Sequence, residues 1–104
     1  MYCVYLIVSD KGERYIGYTS NLKQRIAQHN AGLNKSTQGS RWKLAYAEAF
    51  LSKHDARMRE AKLKDHGQSK HHLYQRAKAS IKKAECWEDA IEGGAGNWGE
   101  VVTR

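Results

Sequence analysis

Residues 2–8 read Tyr-Cys-Val-Tyr-Leu-Ile-Val, apolar or aromatic at every position, and a second strand-like run, Tyr15-Ile16-Gly17, follows Ser9-Asp10-Lys11-Gly12-Glu13. No other feature constrains the fold as tightly. A strand without polar alternation is buried on both faces, which puts it in the middle of a sheet. Asp10-Lys11-Gly12 is turn chemistry, with Gly12 free to take positive φ. A three-residue loop built on a type I turn and closed by a left-handed glycine suits it. Such a loop pairs Ser9 with Glu13, so Ile7 opposes Tyr15 and Tyr5 opposes Gly17. Opposed residues share a face, which makes Tyr5 and Tyr15 diagonal neighbours. A two-residue loop would shift the register and separate the two hydroxyls. Two adjacent phenols with a glycine beside one of them mark a candidate site.

The 104 residues suffice for one domain with a modest core and no need of disulfides. Eighteen Lys+Arg against eleven Asp+Glu give a net charge of +7, and the pI of about 9.5 points to a polyanionic partner. The basic excess is concentrated: residues 35–83 carry thirteen basic and four acidic side chains, residues 84–104 one basic and five acidic. Residues 1–84 are therefore read as the domain and 85–104 as a short acidic, glycine-rich extension. Cys3 in a strand and Cys86 in a late polar helix do not suggest a disulfide, and a reducing compartment is expected. No apolar run approaches the roughly 20 residues of a membrane span, and the N-terminus leads straight into a strand. The expectation is a cytoplasmic protein.

Thr19-Ser20-Asn21 offers helix N-caps before Leu22 to Ala31, with Leu22, Ile26 and Leu33 as the buried stripe and Gly32 as the stop. Arg25 and His29, four apart, share a flank of this helix. Residues 33–42 form a polar, basic loop. Lys43 to Leu51 alternates as a third strand, with Leu44, Tyr46, Glu48 and Phe50 on one face and Ala45, Ala47 and Ala49 on the other. Ser52 opens a helix to about 66, closed by Gly67, and Ser69 caps another running to about Ala84. Residues 93–99 are too glycine-rich for regular structure, and a mobile tail with Trp98 docked or free is expected. The order β-β-α-β-α-α describes a small α+β domain, a three-stranded antiparallel sheet flanked by helices.

Glu60 shares a helix stripe with Ala56 and Leu63, so it is turned toward the sheet that carries the tyrosines. Alone, that placement fits a salt-bridged surface acid or a ligand for a hard divalent cation; Mg²⁺ commonly takes one or two protein carboxylates and completes its shell with water and phosphate oxygens. Cys3-Val4-Tyr5, Tyr15-Ile16-Gly17, Tyr18-Thr19, Leu22, Arg25, His29 and Glu60, in this order and spacing, resemble the GIY-YIG nuclease superfamily. The run His29-Asn30-Ala31-Gly32, the Ser/Thr-rich loop, 41–50 and 56–64 are most similar to its small stand-alone bacterial members, themselves similar to the nuclease domain of structure-specific endonucleases. The resemblance covers about residues 2–73, with Cys3 standing where glycine is usual.

The resemblance implies a metal-dependent endonuclease hydrolysing phosphodiester bonds in DNA, RNA not being excluded. Tyr5 and Tyr15 would be the active-site phenols, one of them orienting or deprotonating the attacking water, with Arg25 on the scissile phosphate and His29 assisting proton transfer or phosphate binding. Glu60 would be the sole protein ligand of Mg²⁺ or Mn²⁺, hence a one-metal mechanism. An ordinary tyrosine pKa near 10 is too high for a base at neutral pH, and Arg25 with the metal would lower it. Tyr18, Lys35, Arg41 and Lys43, with the loop Ser36-Thr37-Gln38, are the candidate nucleic-acid contacts, supplying affinity more than sequence preference. Trp42 is a core residue or a stacking platform, Glu48 a structural acid, and His72 stands where relatives carry an asparagine. Zinc is disfavoured because the cysteines lie too far apart for a finger. The alternative is a non-catalytic nucleic-acid-binding module of the same fold, and a domain this small is compatible with targeting by a protein partner.

Overall fold

The computed structural model describes residues 1–86 and, as backbone, residues 100–103. Strands β1 (Tyr2–Ser9), β2 (Arg14–Thr19) and β3 (Trp42–Phe50) form an antiparallel sheet with β1 in the middle. A fourth strand absent from the sequence reading, β4 (Glu100–Thr103), runs parallel to β3 along its outer edge. The expected course of 93–99, including Trp98, lies outside the described residues. The hairpin register is the one the loop length dictates: Ile7 opposes Tyr15 and Tyr5 opposes Gly17. Its loop closes through Ser9 N–H to the Glu13 carbonyl at 2.9 Å, with Gly12 at φ +80°. The Ser9 hydroxyl also accepts from the Lys11 and Glu13 amides.

Residues of β1 point alternately to two layers. Val4, Leu6 and Val8 meet Ile16, Tyr46 and the helices α2 (Lys53–Asp65), α3 (Gly67–Arg76) and α4 (Lys78–Ala84), through Ala56, Leu63, Leu73, Ala77 and Ile81. Tyr5 and Ile7 pack with Trp42, Leu44 and Ala47 on the opposite layer, against Leu22 and Ile26 of α1 (Leu22–Asn30). The helix starts follow their caps: Asn21 accepts from the Gln24 amide and Ser52 from the Asp55 amide.

Three expectations about these elements are corrected. Strict alternation along β3 fails because the register against β1 shifts between Leu6 and Ile7, where Ile7 opposes Leu44. This irregularity turns Leu44 to the Tyr5 layer and Ala45 to the helix layer. The helix expected from Ser69 to Ala84 is two, separated at Ala77 (φ −98°, ψ 18°), and the first begins at Gly67 without a side-chain cap. Leu33 lies past the end of α1 and is 74% exposed instead of completing the apolar stripe. Glu48 is buried and its carboxylate meets Arg59 at 2.6 Å, a structural role. Among the described residues the cysteines are free thiols, and no helix is long and apolar enough to cross a membrane.

Candidate active site

Tyr5 is fully buried, with its ring lying over Gly17. A Cβ at Gly17 would overlap the Tyr5 hydroxyl and stand 2.5 Å from its Cζ and 3.0 Å from Tyr15 Cε1. Glycine is required here for space, with no demand on φ. Gly17→Ala should cost about 1–3 kcal/mol, the usual range for overpacking, and displace the phenol; a denaturant melt combined with an activity assay checks both.

His29, buried on the last turn of α1, packs edge-on against both phenols, with ring centroids 5.7 Å from Tyr5 and 5.1 Å from Tyr15. The Tyr5 and Tyr15 rings are themselves 6.4 Å apart. The Tyr5 hydroxyl and His29 Nε2 are 2.7 Å apart, and His29 Nδ1 is 2.8 Å from Thr37 Oγ1. Thr37 Oγ1 donates to the Asn34 carbonyl, so it is free to accept from Nδ1–H. That fixes the tautomer: Nε2 carries the lone pair and accepts from the Tyr5 O–H.

Burial pushes the Tyr5 phenol up to about 12, against the opposing pull of Arg25 by hydrogen bonding and charge. Arg25 acts in the expected sense, but burial outweighs its pull on the phenol. Burial, and secondarily the Arg25 charge, holds His29 below the ordinary histidine value. The resting pair is a neutral phenol on a neutral imidazole. Arg25 donates through Nη1 to Gln28 Oε1 at 3.3 Å, while its buried Nε has no acceptor among the described residues. Beside it, Arg25, Gln28, His29, Leu33 and Asn34 line a hollow of about 260 Å³.

Ala56 and Leu63 of α2 are buried in the helix layer, yet Lys64 on the same helix stands 5.2 Å over the Tyr15 ring. This side of α2 therefore reaches round β2, the outermost strand on that side of the described sheet. Glu60 is on that side, 3.4 Å from the Lys64 ammonium, and its charge is felt at the Tyr5 phenol. A partly shielded carboxylate whose present partner is an exposed lysine fits a small hard cation that keeps most of its water. Among the described residues there is no group of three or more His, Cys, Asp or Glu placed to hold a metal ion.

Tyr5, Tyr15, Arg25 and His29 are thus drawn together from β1, β2 and α1, with Glu60 of α2 near enough for its charge to act on the Tyr5 phenol. Other candidates are not. Tyr18 opposes Val4, so alternation puts it on the helix layer, stacked on Tyr2 at 6.4 Å with Arg57 over its ring. Lys43 opposes Val8 and bonds the Cys86 carbonyl beyond the end of α4. Arg41 is tied to Asp10 at the hairpin tip, while Lys35 is exposed in the short turn Lys35–Thr37. The loop of 33–42 is held in place: Thr37 is buried against His29, and Trp42, a core residue, donates its indole N–H to the Thr37 carbonyl. His72 is exposed on α3, its ring beside that of His71. Thr37 and Lys64 are the site neighbours that periodicity could not single out.

A family model described as the GIY-YIG catalytic domain matches residues 1–75. A UPF0213 protein of Streptococcus pneumoniae is 40% identical over 63 residues, 59% of this chain and 64% of that protein. One of Halobacterium salinarum is 41% identical over 66 residues, 62% of this chain and 86% of its own length. One of Staphylococcus haemolyticus is 40% identical over 63 residues, covering 59% and 77%. The chain thus spans somewhat less than two thirds of the pneumococcal relative. No solved structure matches. With the family model covering well over half of the residues, the chain belongs to the GIY-YIG catalytic-domain family.

Proposed function

We propose that this protein is a metal-dependent endonuclease that hydrolyses phosphodiester bonds in DNA, with a single divalent cation, Mg²⁺ or Mn²⁺, held by Glu60. The observation that carries the reading is the Tyr5–His29–Thr37 hydrogen-bond chain beside a guanidinium with an unused buried donor. A buried arginine N–H without an acceptor is costly unless a ligand supplies one, and a phosphate oxygen is the acceptor its planar fork suits. There Arg25 stabilises charge developing on the phosphoryl oxygens. Tyr5 is a poor base by itself at a pKa of about 12. Its oxygen can take a proton from the attacking water only as its own proton passes to His29 Nε2, so the base that ends up charged is the imidazole. Thr37 holds that imidazole in the accepting tautomer, and Tyr15 orients the water. When bound, the cation would supply charge neutralisation at the phosphate and the leaving oxygen.

The test is incubation with branched, single-stranded and duplex DNA, and with RNA, in Mg²⁺, Mn²⁺ or chelator. Cleavage of DNA that chelation abolishes supports the reading. Binding without cleavage on every substrate would replace it with the non-catalytic module, and cleavage of RNA alone would reassign the substrate.

The pH profile follows from His29. The reaction needs it neutral, and its pKa lies below the ordinary 6.5, so the acid limb of kcat/KM should fall below pH 6.5. Linkage has the same sign: below pH 6.5 the unfolded chain binds a proton that native His29 resists. Stability contributed by this group is present above that pH and declines as pH falls toward the native value. Thermal melts across pH 5–8 read this independently of activity.

A further inference from the structure

On the other side of β2 from the phenols, Arg14 packs its guanidinium 4.7 Å over the Tyr74 ring. Together with Lys78, Lys82 and Glu85 these residues line an open cleft of about 340 Å³ between the hairpin and the paired helices α3 and α4, floored by Ile81. Lys78 and Lys82 are four apart and share a flank. Both are exposed, and among the described residues neither has a carboxylate within ion-pair distance. Arg14 meets Glu85 at 3.5 Å, with both side chains 36% exposed, so that pair is open to competition by another anion. Three cations thus stand around one aromatic ring.

We infer that this cleft is a second nucleic-acid contact, holding the polynucleotide backbone a few nucleotides away from the scissile bond. Arg14 and Tyr15 are consecutive on β2, so their side chains point to opposite faces, the first into the cleft and the second into the phenol site. β2 has no further strand outside it among those described, so a strand of nucleic acid can cross this edge from one site to the other. Lys64, over Tyr15 on the same side, adds a cation to the path. A guanidinium stacked on a phenol offers its edge to phosphate and its plane to a base, and aromatic rings set among cations suit single-stranded polynucleotide. Lys78, Lys82 and Glu85 lie beyond the residues that the family model matches. The inference rests on the nuclease reading for its choice of polyanion, and binding measured in chelator separates the two.

Fluorescein-labelled 20-nucleotide single-stranded and duplex DNA are titrated with the full-length protein in chelator from low to moderate salt. Lys78→Ala/Lys82→Ala should reduce the slope of log K against log salt by about 1.4 on single strands and about 1.8 on duplex, as expected for two lost phosphate contacts. The pair Lys53→Ala/Lys62→Ala, which removes the same charge elsewhere, should leave the slope unchanged. Glu85→Gln, which frees Arg14, should bind several-fold tighter, a gain that no loss of folding can imitate. An unchanged slope in the first variant, an equal loss in the control pair, or no gain from Glu85→Gln would overturn the inference. Equal competition by polyglutamate of matched charge would overturn the assignment to nucleic acid. A slope change in a protein that cuts nothing keeps the cleft and rejects the nuclease; cleavage with an unchanged slope does the reverse.

Discussion

Glu60→Gln should fold normally and cut DNA at least about 100-fold more slowly than the parent in Mg²⁺, because a cation's stabilisation of transition-state charge amounts to several kcal/mol and each 1.36 kcal/mol is tenfold in rate. The amide keeps the size of the acid but lowers its affinity for a hard cation. Structure is little affected, since the ion pair with Lys64 is half open to solvent and such pairs contribute about 0–1 kcal/mol. Single-turnover cleavage under saturating enzyme isolates the chemical step, and an unshifted melting curve excludes unfolding. A rate within threefold of the parent would remove Glu60 from the site and with it the one-metal scheme.

Tyr5→Phe should slow cleavage by about 10²–10⁴-fold, the span that positioned acid–base groups supply. Stability should also fall, by about 1–3 kcal/mol, because the ring still fills its place while the buried His29 Nε2 loses its donor. The decisive comparison is with His29→Ala. If the phenol works by handing its proton to the imidazole, the two substitutions disable one device, and the double variant is no slower than the slower single one. Losses that multiply would mean independent roles and would undo the relay. Thr37→Val supplies a third reading: it leaves both groups in place but frees the tautomer, so it should lose less than either.

Much of this site was legible in the chain. The three-residue loop of Asp10-Lys11-Gly12 determines how β1 and β2 pair, and from that pairing the neighbouring phenols and the cramped Gly17 follow. The i, i+4 spacing puts Arg25 and His29 on one flank because α1 is regular and well capped, whereas Glu60 stands off the buried Ala56 and Leu63 stripe, beside Lys64. What escaped depends on contacts distant in sequence. The irregularity in β3 is a matter of register against β1 and leaves no mark in the alternation of residues 43–51. Thr37 belongs to a polar loop without periodicity, and only the fold brings its hydroxyl to His29. The Tyr5 pKa needed the depth of burial, which decided the contest with Arg25. Lys43 and Tyr18 stand on the helix layer, on the other side of the sheet from the phenols, where alternation from Val8 and Val4 sends them.

The irregular point in β3 also restricts what changes of length this strand can accept. On one side of it Trp42 and Leu44 serve the Tyr5 layer; on the other, Tyr46 and Glu48 serve the helices. Removing a single residue at Ala45 would keep Tyr46 opposite Leu6 and Leu44 opposite Ile7 in an unbroken zigzag, whereas removing one elsewhere in the strand would send the indole or the leucine through the sheet and withdraw the cover from beneath Tyr5. Ala45 is therefore the position at which β3 can lose a residue and keep both layers; elsewhere along the paired strand a change of length reverses the faces.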